Sequence, residues 1–179
     1  MSTETAEVFF ALLALVAAVG AVGLVVARLL APRSGTAAMV VDTFAGPALA
    51  LSAVVAATCV AGSLYFSEVA HFIPCTLCWY QRIAMYPLAV ILTVAAIRRD
   101  RAVRVYVVPL AGIGAAISLY HYVIEWFPEA ETGVCSTTIP CSVQWFDPVL
   151  GFISLPFMAL CGFALILSLV TLRTQESPQ

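Results

Sequence analysis

Two pairs of cysteines carry most of the chemistry that this sequence offers. Cys75 and Cys78 form a C-x-x-C motif, and Cys135 and Cys141 form a second pair with a short spacing. Paired thiols can close and reopen a disulfide, and exchange between two pairs moves two electrons through a mixed disulfide. The arrangement therefore indicates a relay in which one pair meets a soluble partner and the other meets a further acceptor.

Two other interpretations of these cysteines stay open at this stage. Four thiolates can hold a single zinc ion, here as C-x₂-C followed by C-x₅-C. The second pair can also be a permanent disulfide that fixes its loop. Zinc does not explain why an arginine follows the first pair, and two cysteine pairs on the same face of the membrane argue for exchange rather than a static disulfide. We therefore favour the relay and predict no metal site.

The residues around the first pair predict how its thiols are activated. The segment from Pro74 to Arg82 is PCTLCWYQR, and it begins a long apolar stretch. Unpaired N–H groups at a helix N-terminus favour an anion, so we expect a stabilised Cys78 thiolate. Arg82 lies one turn further along the same helical face and adds a positive charge. An arginine that merely reaches towards lipid headgroups is the alternative.

The composition indicates what kind of scaffold must hold these residues. Hydrophobic residues make up 63% of the chain and charged residues 10%, against roughly 45–50% and about 25% in soluble domains. We therefore predict an all-α membrane protein, because continuous apolar stretches provide the roughly 20 residues that a helix needs to cross a bilayer. The five predicted spans are Val8–Leu30, Phe44–Phe66, Tyr80–Ile97, Val105–Ile124 and Val149–Leu172.

The basic residues, all of them arginine, predict the orientation in the membrane. All but Arg82 follow span one, three or five: Arg28, Arg33, Arg98, Arg99, Arg101, Arg104 and Arg173. Positive charge accumulates on the cytoplasmic side, so we expect a cell-membrane protein with its N-terminus outside and its C-terminus in the cytoplasm. Both cysteine pairs then lie in outer segments, Ser67–Trp79 and Glu125–Pro148, where disulfides persist. A net charge of −2 without a basic cluster gives no support to nucleic-acid binding.

A four-helix transmembrane bundle with one additional helix is the predicted organisation. The short inner connections, Ala31–Thr43 and Arg98–Arg104, require antiparallel neighbours. We assign residues 1–43 to an extra N-terminal transmembrane helix with its cytoplasmic loop, and residues 44–179 to the four-helix domain. The first span is expected to be a permanent helix rather than a signal peptide, because the segment before it contains acidic and no basic residues.

Three residues within the spans need separate consideration. Cys59 and Cys161 are expected to be small packing residues without chemistry. His121 lies near the outer end of span four, where an ionisable side chain is a functional candidate. A structural hydrogen bond within the bundle is the alternative for this histidine.

Taken together, these motifs resemble the disulfide bond formation protein B (DsbB) family, especially its shorter BdbC-type members. The resemblance runs from about Leu64 to Leu165. Three pieces carry it: the segment from Pro74 to Arg82 continuing to Met85-Tyr86-Pro87, the segment from Tyr120-His121 to Pro128, and Ile139-Pro140-Cys141-Ser142.

The resemblance implies a four-helix bundle that reoxidises an extracytoplasmic DsbA-like thioredoxin-fold oxidase and passes the electrons to a membrane quinone, menaquinone or ubiquinone. Cys75 and Cys78 match the family's quinone-proximal pair, with Cys78 next to the ring. Arg82 matches its quinone-associated arginine, and His121 matches a histidine near the quinone pocket.

The second cysteine pair and the first span depart from the family pattern. Cys135 and Cys141 match the pair that exchanges with the partner, and Cys135 is the expected site of the mixed disulfide. Their spacing is much shorter than in the longer DsbB proteins, which leaves the relay geometry open. The extra N-terminal span has no counterpart in the four-helix core.

Two rival functions share parts of this pattern. A vitamin K epoxide reductase-like enzyme has the same bundle architecture and a quinone partner, but the Cys-Trp-Tyr-Gln-Arg context favours the DsbB family. A non-enzymatic membrane scaffold with structural or zinc-binding cysteines is the rival from another class. The quinone and zinc content of the purified protein would separate these two classes.

Overall fold

The computed structural model describes residues 2–136 and 138–172, and within them it has the predicted all-α architecture. A π-helical turn, Tyr65–Val69, extends the third helix, and short 3₁₀ turns flank the fifth. Arg173, which contributed to the predicted orientation, lies outside the described residues. The helices are α1 (Thr3–Leu30), α2 (Gly35–Ala45), α3 (Ala48–Leu64), α4 (Thr76–Arg98), α5 (Arg104–Trp126) and α6 (Leu155–Val170).

Four of these helices are long and apolar enough to cross a membrane: α1, α3 with its extension, α4, and α5 with the turn before it. Helix α6 is equally apolar but shorter, and it completes the five predicted spans. It begins at Leu155 rather than Val149, because Val149 and Ile153 form a local bridge and Pro156 occupies its first turn. The chain is thus a multi-pass membrane protein.

The inner connection predicted as a loop over Ala31–Thr43 is largely helical, which corrects that expectation. The Ser34 hydroxyl caps α2 by accepting a hydrogen bond from the Ala37 N–H. Ala37, Val41 and Ala45 then recur at every fourth position and are buried, and Val41 and Ala45 pack with the C-terminal ends of α1 and α6. Helix α2 is too short to span the membrane, so the number of spans is unchanged.

Helices α3 to α6 form the predicted bundle, and α1 packs outside it along α6. The centre of the bundle is filled by side chains such as Leu88, Val107 and Phe163, all fully buried. On the outside, Ala14 and Ala17 of α1 pack against Cys161 of α6. Cys59 joins the edge of the bundle core. Both intramembrane cysteines therefore contribute to packing, as expected from their type.

One glycine permits the closest approach between α5 and α6. A Cβ atom placed on Gly114 would lie 2.3 Å from the Phe163 ring, whereas one placed on Gly112 would meet nothing within 4 Å. Phe163 is completely buried, so its ring has little room to retreat.

We expect Gly114→Ala to lower the stability of the protein by about 1–3 kcal/mol, because the added methyl group overpacks the α5–α6 contact. Gly112→Ala is the matched control on the same helix and should be neutral or slightly stabilising. Thermal unfolding of both variants in detergent micelles measures the difference. Equal melting temperatures for the two variants would contradict this packing.

Candidate active site

The C-x-x-C motif lies at the point where α4 begins. Cys75 is the N-cap residue of the helix, and its Sγ accepts a hydrogen bond from the Cys78 N–H at 3.3 Å. The extended backbone at Cys75, which follows Pro74, turns the sulfur towards the first turn of the helix. The two sulfurs are 2.8 Å apart and unlinked, so this pair is a dithiol.

His121 of α5 connects this pair with the loop pair. Its Nε2 lies 3.6 Å from the Cys75 Sγ and 3.1 Å from the Cys141 carbonyl oxygen, and its Nδ1 lies 3.3 Å from the Gln81 side-chain nitrogen. A carbonyl oxygen only accepts hydrogen bonds, so Nε2 must carry the proton. The Gln81 amide then donates to Nδ1 and fixes the orientation of the ring.

These contacts stabilise a thiolate on Cys75 rather than on Cys78. The hydrogen bond from the Cys78 thiol is the main cause, and with His121 it outweighs burial and lowers the pKa of Cys75 to about 4. The expectation of a Cys78 thiolate is therefore wrong. The sulfur that meets the free N–H groups of a helix is that of the N-cap residue, and α4 begins at Thr76 rather than at Tyr80.

The loop pair is a disulfide that packs directly against the first pair. Cys135 and Cys141 are bonded, with Cα atoms 5.8 Å apart. Cys141 is only 1% exposed and joins a buried cluster with Cys75 and Ile124, whereas Cys135 is half-buried at the edge of that cluster. Of the two disulfide sulfurs, Cys135 is thus the more accessible to another molecule.

The disulfide changes which metal sites are possible. Its two sulfurs are not thiolates, so the four-cysteine zinc arrangement does not exist in this form of the protein. The described residues do contain one smaller group, in which Cys75, Cys78 and His121 offer ligand atoms within 4.8 Å of one another. The same three residues form the thiol contacts described above.

A cavity of about 340 Å³ opens beside Cys78. Helices α1, α3, α4 and α6 bound it, and the connections that follow α3 and α5 contribute aromatic side chains, including Phe72 and Trp145. Most of its polar groups are gathered at one end, where Cys78, Gln81, Arg82 and Ser63 line it, and the remaining wall is largely apolar.

Arg82 is held in the wall of this cavity rather than extended towards solvent. Its Nε donates to the Ser63 hydroxyl at 2.9 Å, and a terminal nitrogen donates to the Ser63 carbonyl at 3.0 Å. The guanidinium group also lies 5.2 Å from the centre of the Trp79 ring. A fixed positive charge therefore borders the same space as the Cys78 sulfur.

His121 does not itself line this cavity. It lies behind the thiols and reaches the cavity only through Gln81, the side chain that contacts its Nδ1 and also lines the space. Its side chain bridges Cys75 and Cys141, and the proximity to a quinone ring that the resemblance implies stays a prediction.

Glu125 is a site residue that sequence reasoning missed, because it was assigned to the start of an outer loop. It is 8% exposed, accepts a hydrogen bond from the Ser154 hydroxyl, and lines a small crevice together with Cys75 and His121. The four-residue spacing from His121 to Glu125 on one helix was the available signal. A buried carboxyl group beside an imidazole can accept or supply a proton.

Comparison with known proteins connects this geometry to one family. A sequence model of the family "Disulfide bond formation protein DsbB" matches residues 45–173. Disulfide bond formation protein C of Bacillus subtilis (strain 168) is 47% identical over 131 residues, which cover 70% of this chain and 91% of the relative. A probable disulfide formation protein of Oceanobacillus iheyensis is 47% identical over 120 residues, covering 64% and 81%. No solved structure matches the chain significantly.

The geometry predicts how Cys75 responds to pH. Because its pKa is lowered to about 4, the thiolate should persist from neutral pH downwards and disappear only as the pH falls through that value. Loss of the imidazole in His121→Ala should move the transition to higher pH. The ultraviolet absorbance of the thiolate in the reduced protein measures it, with Cys75→Ser as the blank. A transition near the ordinary thiol range of about 8.5 would contradict the assignment.

Proposed function

The chain belongs to the DsbB family of disulfide bond formation proteins and is a membrane thiol–disulfide oxidoreductase, and we propose that it oxidises a DsbA-like thioredoxin-fold oxidase and passes the electrons to a membrane quinone, menaquinone or ubiquinone. One observation carries this proposal. The loop disulfide packs against the C-x-x-C thiols, and Cys78 of that motif lines an apolar cavity within the membrane-spanning helices.

Electrons enter at the loop disulfide. A thiolate of the reduced partner attacks the Cys135 sulfur, the more accessible of the two, and Cys141 leaves as a thiolate. The partner's second thiol then attacks the mixed disulfide, which releases the oxidised partner and leaves both loop cysteines reduced. Burial of Cys141 supports this order, because a large partner cannot easily approach its sulfur.

The second step moves the electron pair inside the protein. With Cys75 and Cys78 joined as a disulfide, a loop thiolate attacks this bond, and a second exchange restores the loop disulfide while the C-x-x-C pair becomes a dithiol. The contacts that stabilise the Cys75 thiolate stabilise this reduced pair, so they make its disulfide the stronger oxidant. The observed combination, loop disulfide and C-x-x-C dithiol, corresponds to the end of this step.

The third step returns the C-x-x-C pair to a disulfide. The cavity fits a quinone ring, since it is apolar, lies within the usual range of roughly 300–1,000 Å³ for small-molecule sites, and places a thiol and a guanidinium group at one end. A bound quinone would take up the two electrons that the pair loses together with the proton of Cys78, and it would need one further proton. Arg82 offers hydrogen bonds and positive charge to an oxygen on the ring, and Cys78 is the sulfur next to it.

Buried residues near the thiols can supply the proton that this third step requires. Cys75 already lacks its proton, so one proton must come from another group when the ring is reduced. Glu125 and His121 lie in the crevice behind the thiols and can supply or relay it. In this proposal His121 acts on the thiol pair rather than on the ring.

The orientation and the domain boundary are part of the same proposal. We place the N-terminus outside and the C-terminus in the cytoplasm, so that both cysteine pairs face the oxidising side. Arginines gather at the other end of the bundle, where Arg101 donates to the Ala45 carbonyl and Arg104 to the Leu172 carbonyl. Residues 1–43 are an addition to the domain of residues 44–179, which the extent of the family match supports.

The order of the relay is tested by blocking its two ends. In Cys141→Ser the loop has no disulfide, so the Cys135 thiolate should instead attack the disulfide of the oxidised partner and release one partner sulfur as a thiolate. Because Cys141 is no longer there to resolve it, the mixed disulfide between Cys135 and the partner should accumulate. A gel without reductant should show a heavier band that reductant removes. Cys78→Ser should instead abolish turnover with quinone while the loop disulfide remains reducible by the partner.

Cys161→Ser is the matched control for these variants, since this cysteine packs between helices and lies outside the relay. It should retain turnover and form no adduct. A partner joined through Cys75 instead of Cys135, or quinone turnover by the Cys78→Ser protein, would contradict the proposed order.

A further inference from the structure

Helix α1 forms one wall of the cavity beside Cys78. The matched family region begins at residue 45, so the whole of this helix lies outside it. Five α1 side chains nevertheless line the space over about two turns of the helix: Phe10, Leu13, Ala14, Val16 and Ala17. The extra helix is thus a structural component of the site that the family relatives do not account for.

The cavity is elongated along the helices, with a polar end and an apolar end. On α3 its lining extends from Ser63, the partner of Arg82, back to Val54, a distance of about 13 Å at 1.5 Å per residue. The α1 wall runs alongside this stretch from Phe10 to Ala17. Beyond the polar end the lining is almost entirely apolar, which suits a hydrocarbon chain better than a second polar group.

The apolar part of the cavity opens sideways between α1 and α3. Val16 and Val54 both line the cavity, yet they are 69% and 63% exposed on the membrane-facing surface. At the inner edge of the cavity α1 is fixed to α6, where Ala14 and Ala17 pack against Cys161. At the outer end the Phe10 ring closes the gap, because it lies so near Gly62 that a Cβ there would be 2.9 Å from it.

We propose that α1 and α3 form a lateral channel for the isoprenoid tail of the quinone, with the ring at Cys78 and Arg82 and the tail leaving into lipid past Val16 and Val54. This proposal rests on the proposed function, because it concerns the same site. It makes α1 a specificity element that favours long-tailed quinones. A tail that lies between two helices is held by packing, since lipid itself offers an equally apolar environment.

The test compares two quinones with the same naphthoquinone ring: menadione, which has no tail, and menaquinone-4, which has an isoprenoid tail. Turnover is measured in lipid nanodiscs with the full chain and its reduced partner, and KM is expressed as a mole fraction in lipid. Val16→Trp should raise the KM for menaquinone-4 about tenfold, because the indole fills the channel, and leave the KM for menadione unchanged.

Two further variants test which part of the protein causes the change in KM. Val19→Trp, on the same helix at a similarly exposed position that does not line the cavity, should change neither KM. Arg82→Ala should raise the KM for both quinones, because it acts at the ring. Retained thermal stability of each variant shows that the fold is intact.

The possible results separate failure of the tail channel from failure of the proposed function. If Val16→Trp leaves the menaquinone-4 KM unchanged, or raises both KM values equally, α1 does not hold the tail, and the proposed function still stands. If the unmodified protein reduces neither this pair nor the corresponding tailless and tailed ubiquinones, the proposed function itself fails.

Discussion

The hydrogen bonds of His121 are the interaction on which the rest of the site depends. One ring nitrogen contacts both the Cys75 sulfur and the Cys141 carbonyl, so a single side chain holds the two cysteine pairs against each other. Without it, the loop that contains Cys141 has no polar connection to the start of α4 among the contacts described. Disulfide exchange requires sulfur to approach sulfur, and the imidazole places the two pairs in one buried cluster.

The bilayer imposes a second constraint, which divides the molecule into a polar end and an apolar body. Backbone groups in lipid must be satisfied within each segment, so the long apolar runs form helices. The reactive sulfurs collect at one end, where Cys75 can use the free N–H groups of α4. Cys78, one turn further in, borders the apolar cavity. A partner in water and an acceptor in lipid are therefore reached from neighbouring sulfurs of one cluster.

The sequence was sufficient for the features that depend on local pattern. Continuous apolar runs predicted five helical spans, and the spacing of Cys75 and Cys78 predicted a redox pair at a helix N-terminus. The thiolate was assigned to Cys78, because the start of α4 was placed at Tyr80 rather than at Thr76. Helix α2 was missed, since its buried face consists mainly of alanine and gives a weak pattern.

Other features depend on contacts between distant segments and could not be predicted. The Ser63 partner of Arg82 and the Ser154 partner of Glu125 become neighbours only when the helices pack. The place of α1 in the cavity wall is of the same kind, because an extra apolar helix can pack on any face of a bundle. His121 was predicted to lie near the outer end of span four, whereas its contacts with Cys75 and Cys141 arise only when α5, α4 and the loop pack together.

The central claim is that Cys75 and Cys78 lose their electrons to the respiratory quinone pool. The most direct measurement is the thiol state of these two cysteines in membranes with respiration active and blocked, read by alkylation and mass spectrometry of each cysteine. Our account predicts that the pair accumulates as a dithiol when respiration is blocked and returns to a disulfide when it resumes. A thiol state that does not depend on respiration, with the protein still turning over, would contradict it.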